Sequence, residues 1–522
     1  MIDPLSLLVL GAEGVLIGPM LAGSVLYSQQ RYAEAARAFE LAARIQPVPM
    51  FRATCYINLS ACHAEMAQPE LTVQACNRAE RSSNSRYVRA LAHINRAHAY
   101  LLLGRMEDSQ KEAERAIELS PHWRRGVRYA MVNYADAMGR MGRYPEALQT
   151  ARLALHGGGS PDPAATSAAR REIGMLLVQM GRPREALQEM DQALQLGPQR
   201  PDHRGMIYQI MASAWVSLGD VEEAARALDE AERLGVPAIN QPVLLQARAR
   251  ICMLQGQIDH AIALLRSAEV AGRTPLVRSV VSAYLATCLA EQGKYGEALA
   301  RAHDVLVGEC QYRHIQAVCH LVEANGHFSL GNMDEGCAAL EKLRSFKGMS
   351  PILDAASAVA HAHGSFEAER YEDTAEWIRA AREVLGGIEG HPDMRRAASL
   401  WFARSLTRLG KADEARDEVR TALSTSGVNH RERADLLHAL GESQLAMADR
   451  AAARATFEEA VESNPDCARA WFSLGQLLAL QGNPEDGAAC LRAARAADPE
   501  GTWGRDAGLS LSALKKRHPE IE

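Results

Sequence analysis

The chain has 522 residues and a net charge of −6, so no overall basic field favours a nucleic-acid partner. Hydrophobic residues make up 47% but aromatics only 5%, and Ala dominates the apolar set, which suits close-packed helices better than a β core. Only seven of the 58 basic residues are Lys, an Arg-rich usage expected of a GC-rich, bacterial genome. The ten Cys are scattered with no C-x-x-C pair, which fits reduced thiols in a cytoplasmic protein and not a disulfide framework.

Taken from the start, "LSLLVLGAEGVLIGPMLAGSVL" (5–26) is long enough to suggest a membrane segment. It contains Glu13 and Pro19, is interrupted by Gly11, Gly14 and Gly18, and follows Asp3 where a signal peptide would need positive charge. Residues 1–15 are therefore expected to be an apolar N-terminal cap, and no membrane span is expected. From there a pattern recurs: "QRYAEAARAFELAARIQP", "AQPELTVQACNRAE", "GRMEDSQKEAERAIELSP", "GRYPEALQTARLAL" and "GRPREALQEMDQALQLGP". "GDVEEAARALDEAERLG", "GQIDHAIALLRSAE", "GKYGEALARAHDVL" and "GNMDEGCAALEKL" continue it. "ERYEDTAEWIRAAREVL", "GKADEARDEVRTAL" and "DRAAARATFEEAVESNP" lead to the last copy, "WFSLGQLLALQGNPEDGAACLRAARAADP". Each reads as a helix, a tight turn and a second helix stopped by Pro or Gly. About 13 such units cover residues 16–500, most of them 37–38 residues long. "GGIEGHPD" (386–393) is the longest interruption and the best candidate for a bend, and 501–522 reads as a C-terminal capping helix with a polar tail.

In the last unit Trp471, Leu474, Gly475 and Leu478 form W-x2-L-G-x2-L, followed by Gly482, Pro484, Gly487, Leu491, Ala494 and Pro499. The first unit matches with Gly23, Leu26, Tyr32, Ala35, Phe39, Ala42 and Pro47. This pattern resembles the tetratricopeptide repeat. The resemblance implies an all-α, right-handed superhelical solenoid in which the first helix of each unit lines a concave groove. Physically, small residues let the paired helices approach, and stacking buries the face that one hairpin leaves exposed.

With Trp471 as fourth in its unit, the sixth position holds Asn58, Asn95 and Asn133 in three consecutive units. Eleven Asn spread at random would put about 0.3 at thirteen such positions. A carboxamide both donates and accepts, so a series of them can hold an extended peptide by its backbone. In some members of the family groove asparagines form such a ladder; the alternative is that they satisfy neighbouring helices. His98, Tyr129, Asp136 and Arg171 flank the series, and Tyr27 would extend an apolar part of the groove. Charges of both signs argue against the all-basic clamp that the family uses for C-terminal carboxylates. Beyond the fifth unit the series stops, and Phe328, Phe366 and Phe472 fall on groove phases, as binding residues or as filling between units.

His320, Glu323 and His327 share one helix face, but there is no H-E-x-x-H, and packing explains them better than a metal. No P-loop, G-x-S-x-G or paired Cys ligands are present, so neither an enzyme nor a cofactor is expected. The expected function is a scaffold or adaptor that binds a protein or peptide segment in the N-terminal half of the groove. A peptide-sensing regulator and a structural subunit of a larger complex, membrane-associated or not, are the alternatives, and an edge helix is available for self-association.

Overall fold

The computed structural model describes residues 17–119, 124–156, 162–196, 200–235, 241–308, 310–519 and 521. The expected cap at 1–15 lies outside them. Among the described residues the chain is helical with no strand. The first helices are α1 (17–28), α2 (Tyr32–Ile45), α3 (Pro49–Glu65), α4 (Pro69–Ser82), α5 (Arg86–Leu103) and α6 (Met106–Leu119). Then come α7 (Arg124–Arg140), α8 (Tyr144–His156), α9 (Pro163–Gln179), α10 (Pro183–Leu194), α11 (Pro201–Leu218) and α12 (Val221–Leu234). They continue as α13 (Gln241–Leu254), α14 (Ile258–Ala271), α15 (Pro275–Glu291), α16 (Tyr295–Val307), α17 (Arg313–Leu330) and α18 (Met333–Leu343). The remainder are α19 (Pro351–Glu367), α20 (Tyr371–Gly386), α21 (Pro392–Arg408), α22 (Ala412–Leu423) and α23 (His430–Ala446). The chain closes with α24 (Arg450–Ser463), α25 (Ala468–Leu480), α26 (Pro484–Ala497) and α27 (Thr502–Arg517).

Consecutive helices pack as hairpins, α3 on α4 through α25 on α26, and α27 covers the open face of α26. The turn inside each hairpin needs one left-handed residue. Gly supplies it at Gly104, Gly142 and Gly181, among others, while Gln30, Ala67, Glu369 and Ala448 take the same conformation at the cost of a crowded Cβ. Where the second helix carries Phe, the first answers with Gly. Phe39 fills the place a side chain at Gly23 would need, and Phe457 does so at Gly441. Buried Ala at 35, 75, 113, 147, 186, 224 and 261 lets the second helix sit close to its partner in these units.

Odd-numbered helices also pack on one another, α3 on α5, α5 on α7, α7 on α9, α21 on α23. No even-numbered helix packs on the next to a comparable extent among the described residues. Elements on the inside of a curve are closer together, so the odd helices line the concave face of an all-α superhelical solenoid.

The coil is wound tightly enough for its turns to touch. Gly104 O accepts from Gln311 N at 2.9 Å, Gly181 O from Glu389 N at 3.1 Å and Ser217 O from His391 N at 2.6 Å. Gln179 O accepts from Ser350 Oγ at 2.7 Å, and Leu330 O from Arg505. Each of these hairpin turns thus meets the start of an odd helix roughly five or six pairs further along. The 386–393 segment, where a bend was expected, is one of the segments that makes this inter-turn seam.

Candidate functional site

The Asn series falls on α3, α5 and α7, half-buried along the concave face. Asn95 donates its amide to Ser60 Oγ at 2.8 Å, and Asn133 donates to Ile94 O at 3.0 Å, each reaching one helix pair back. Asn58 has no hydrogen-bond partner among the described residues. Two of the three therefore use one N–H to tie neighbouring odd helices together. A carboxamide has a second N–H and two acceptor sites, so this leaves capacity for a ligand.

The flanking residues form a strip of alternating charge. On α5 the His98 ring is accessible yet sits deep in the coil, which pushes its pKa down against the pull of Asp136. Asp136 and Arg140 pair along α7, and the Arg140 guanidinium lies 5.3 Å from the ring centre of Tyr312, which belongs to the next superhelical turn. On α9 burial pulls Arg171 down, and its Nη1 contacts Met206 Sδ at 3.0 Å. Its neighbour Glu172 is 7% exposed, and burial followed by Asp136 raises its carboxyl well above the usual range. Tyr129 packs with Ile94, Ala116 and Ala130 on the same side.

Tyr27 sits elsewhere. Its hydroxyl donates to Glu65 Oε1 at 3.1 Å and its ring meets Tyr32 edge-on at 5.3 Å. Arg200, at the start of α11, reaches Tyr32 and lies 3.9 Å from Glu65, so this cluster belongs to the inter-turn seam and not to an apolar groove wall.

Tetratricopeptide-repeat models match residues 90–122, 128–152, 171–235 and 438–502, spans that coincide with hairpins of this coil. Those segments are tetratricopeptide repeats. No curated protein matches it. Similar solved structures include the crystal structure of the APC/C hetero-tetramer Cut9-Hcn1, at 12% identity and TM-score 0.43 over 89% of this chain and 96% of that one. The human IFIT1 dimer with PPP-AAAA matches at 14% and 0.44, covering 78% and 90%. Yeast Tom70 matches at 14% and 0.33, covering 97% of each.

Further along the tetratricopeptide array the groove phases are filled. Phe328 is 1% exposed and occupies the space facing Gly336 and Gly364. Phe366 lies under the Arg404 guanidinium at 4.3 Å, and Phe472 meets Trp503 at 5.6 Å. His320 is bonded to Glu323 at 2.8 Å, and no group of three or more His, Cys, Asp or Glu is placed to hold a metal among the described residues. No described helix is long and apolar enough to cross a membrane.

Two features escaped the sequence reading. One is a buried network on α5, where Arg96 joins Glu112 at 2.7 Å and Glu80 at 2.7 Å beside His93. The other is a cavity of about 390 Å³ between α11, α13 and α15 and the beginnings of α21 and α23. Neither has a local signature, since both join residues from different helices.

Proposed function

We propose that this protein is a non-catalytic interaction scaffold that holds an extended segment of a partner protein along the concave faces of α3, α5, α7 and α9. What supports the reading is the convergence of Asn58, Asn95 and Asn133 with His98, Asp136 and Arg171 on those helices. The amides suit backbone contact, and the mixed charges suit a segment carrying both signs. The test is affinity capture from the native host, then rebinding of each captured partner to the folded Asn58→Ala/Asn95→Ala/Asn133→Ala protein. Unchanged binding of every partner would sink the groove reading; a loss of tenfold or more supports it.

A second reading, a subunit of a larger assembly, has its own support. Ile17, Leu21 and Val25 recur at every fourth residue of α1 and are 40%, 59% and 55% exposed, an apolar stripe at the end of the array. A stoichiometric partner that is lost on Leu21→Glu but kept in the triple Asn variant would favour it.

A further inference from the structure

Hydrogen bonds tie the two superhelical turns together around the cavity between them. His391 N donates to Ser217 O at 2.6 Å, Asn429 Nδ2 to Leu254 O at 3.2 Å, and Arg431 Nη1 to Glu291 O at 3.2 Å. Its walls thus come from residues 140 to 175 apart in the chain, brought together only by the winding of the coil.

The floor is apolar, built from Met253, Leu254, Ile258, Leu400 and Leu436. Around it stand charges of both signs, most of them already accounted for. Arg396 is paired with Glu432 at 2.9 Å, Asp435 lies 3.6 Å from Arg469, and Asp393 sits in the first turn of α21, where the helix dipole favours a carboxylate. Two are left over. Arg250 has no ion pair or hydrogen bond among the described residues, only the Tyr284 ring at 5.9 Å. Glu291, an exposed residue of the lining, makes no side-chain hydrogen bond or ion pair among the described residues, although Arg431 and Arg469 act on its carboxylate from further off. At the wall, His391 is 9% exposed and its Nε2 has no hydrogen-bond partner, and Arg431 Nε is also orphaned. Buried polar atoms are normally satisfied, so these two atoms in the cavity lining offer a ligand places to bond.

The balance of signs selects its chemistry. A purely anionic ligand would meet Glu291, and a purely cationic one would meet Arg250. A volume near the lower end of small-molecule sites, between turns tied together, suits a free ligand better than a through-running peptide. We propose that this cavity binds a small zwitterion with an apolar body, an amino acid or dipeptide, with its carboxylate on Arg250 and its ammonium on Glu291. Because the ligand touches both turns, it binds the closed coil alone and stabilises it by mass action. This site is separate from the groove on α3 to α9.

The experiment is calorimetry and thermal melting of the full chain with free amino acids and the dipeptide Leu-Leu as probes, and N-acetyl-Leu-Leu and Leu-Leu-amide as charge-deleted controls. Saturable binding of a zwitterionic probe is expected, with a melting temperature that climbs with its concentration. Each blocked dipeptide should bind at least tenfold more weakly. Arg250→Gln and Glu291→Gln should each weaken the bound probe at least tenfold. Ala397→Phe, which fills the cavity without touching either charge, should abolish binding in a folded protein. Three results would overturn the proposal: no saturable binding of any zwitterion, equal binding of N-acetyl-Leu-Leu, or unchanged affinity in both charge variants.

Discussion

Asn133 donates its side-chain amide to the carbonyl of Ile94, one helix pair back, at 3.0 Å, while Asn58 at the equivalent place makes no such bond among the described residues. That difference separates bracing from binding. Loss of a typical intramolecular hydrogen bond costs about 1 kcal/mol. Asn133→Ala should therefore lower the unfolding free energy in urea by about 1 kcal/mol, and Asn58→Ala should leave it within about 0.5 kcal/mol of the parent. A partner held along the groove should bind Asn58→Ala more weakly all the same. Equal stability losses in the two variants would contradict the distinction.

The aromatic packing makes a second prediction. An added Cβ at Gly364 would lie 2.5 Å from Phe328 Cζ, and one at Gly336 would lie 2.3 Å from Phe328 Cε1. Overpacking of a filled core costs about 1–3 kcal/mol. Gly364→Ala should destabilise by that amount in equilibrium unfolding. Combined with Phe328→Leu it should cost less than the two single changes added together, because the smaller side chain vacates the contested space. Strict additivity would mean that the two do not compete.

These two cases show what could be read from the chain itself. Hairpins and tight turns repeat from unit to unit, and the Asn phase through three of them, so a local period reveals them. The filling role of Phe328, and the use of Asn95 and Asn133 as braces, were among the alternatives that the sequence left open. The inter-turn seam was not legible, because Gly104 and Gln311, or Ser217 and His391, meet only after the coil has closed on itself. Tyr27 illustrates the same limit. Helical phase put it on a groove face, but Glu65 and the neighbouring Arg200 draw it into the seam. The "GGIEGHPD" interruption was visible, and its composition alone could not say that it docks on another turn.

Buried histidines should make the C-terminal half sensitive to acid. His438 is fully buried against Phe457 and Trp503, and burial holds its pKa down at about 4; His363, stacked on Trp401, is held at about 3. An imidazole in the unfolded chain titrates near 6.5. Between that value and about 4 the unfolded state takes up the extra proton, so each such group removes stability as pH falls, by up to about 1.4 kcal/mol per pH unit. The stability advantage of the parent over His438→Gln should shrink steadily from pH 6.5 to pH 4 in urea unfolding. A constant difference over that range would show that His438 is not held neutral.

Glu172 acts in the opposite sense. Its folded pKa is raised by burial and by Asp136, so the folded state holds the proton more tightly than the unfolded one. Stability from this group is then fullest below pH 4.5 and is lost as pH rises from there through the folded pKa. Glu172→Gln removes the cost of ionising a buried carboxyl. It should be more stable than the parent at pH 8, with the gain vanishing near pH 4. A variant less stable than the parent at pH 8 would mean that Arg140 and Arg171 keep Glu172 charged at a net benefit.

The seam itself can be opened at one residue. Gly390 has φ +75°, and an added Cβ would fall 2.1 Å from Ser217 O, the acceptor of His391 N. Alanine there meets both a left-handed backbone and a backbone carbonyl that a flexible side chain cannot yield to. The expected cost is about 1–3 kcal/mol. It should appear as separation of the turns and not as melting of helices, because each hairpin keeps its own core and stacking neighbours. Small-angle scattering of Gly390→Ala should give a larger radius of gyration at unchanged helical circular dichroism. Amide exchange at His391 and Glu389 should quicken, with the α3–α7 amides unaffected. An unchanged radius with unchanged exchange would mean that contact between the turns does not depend on this segment.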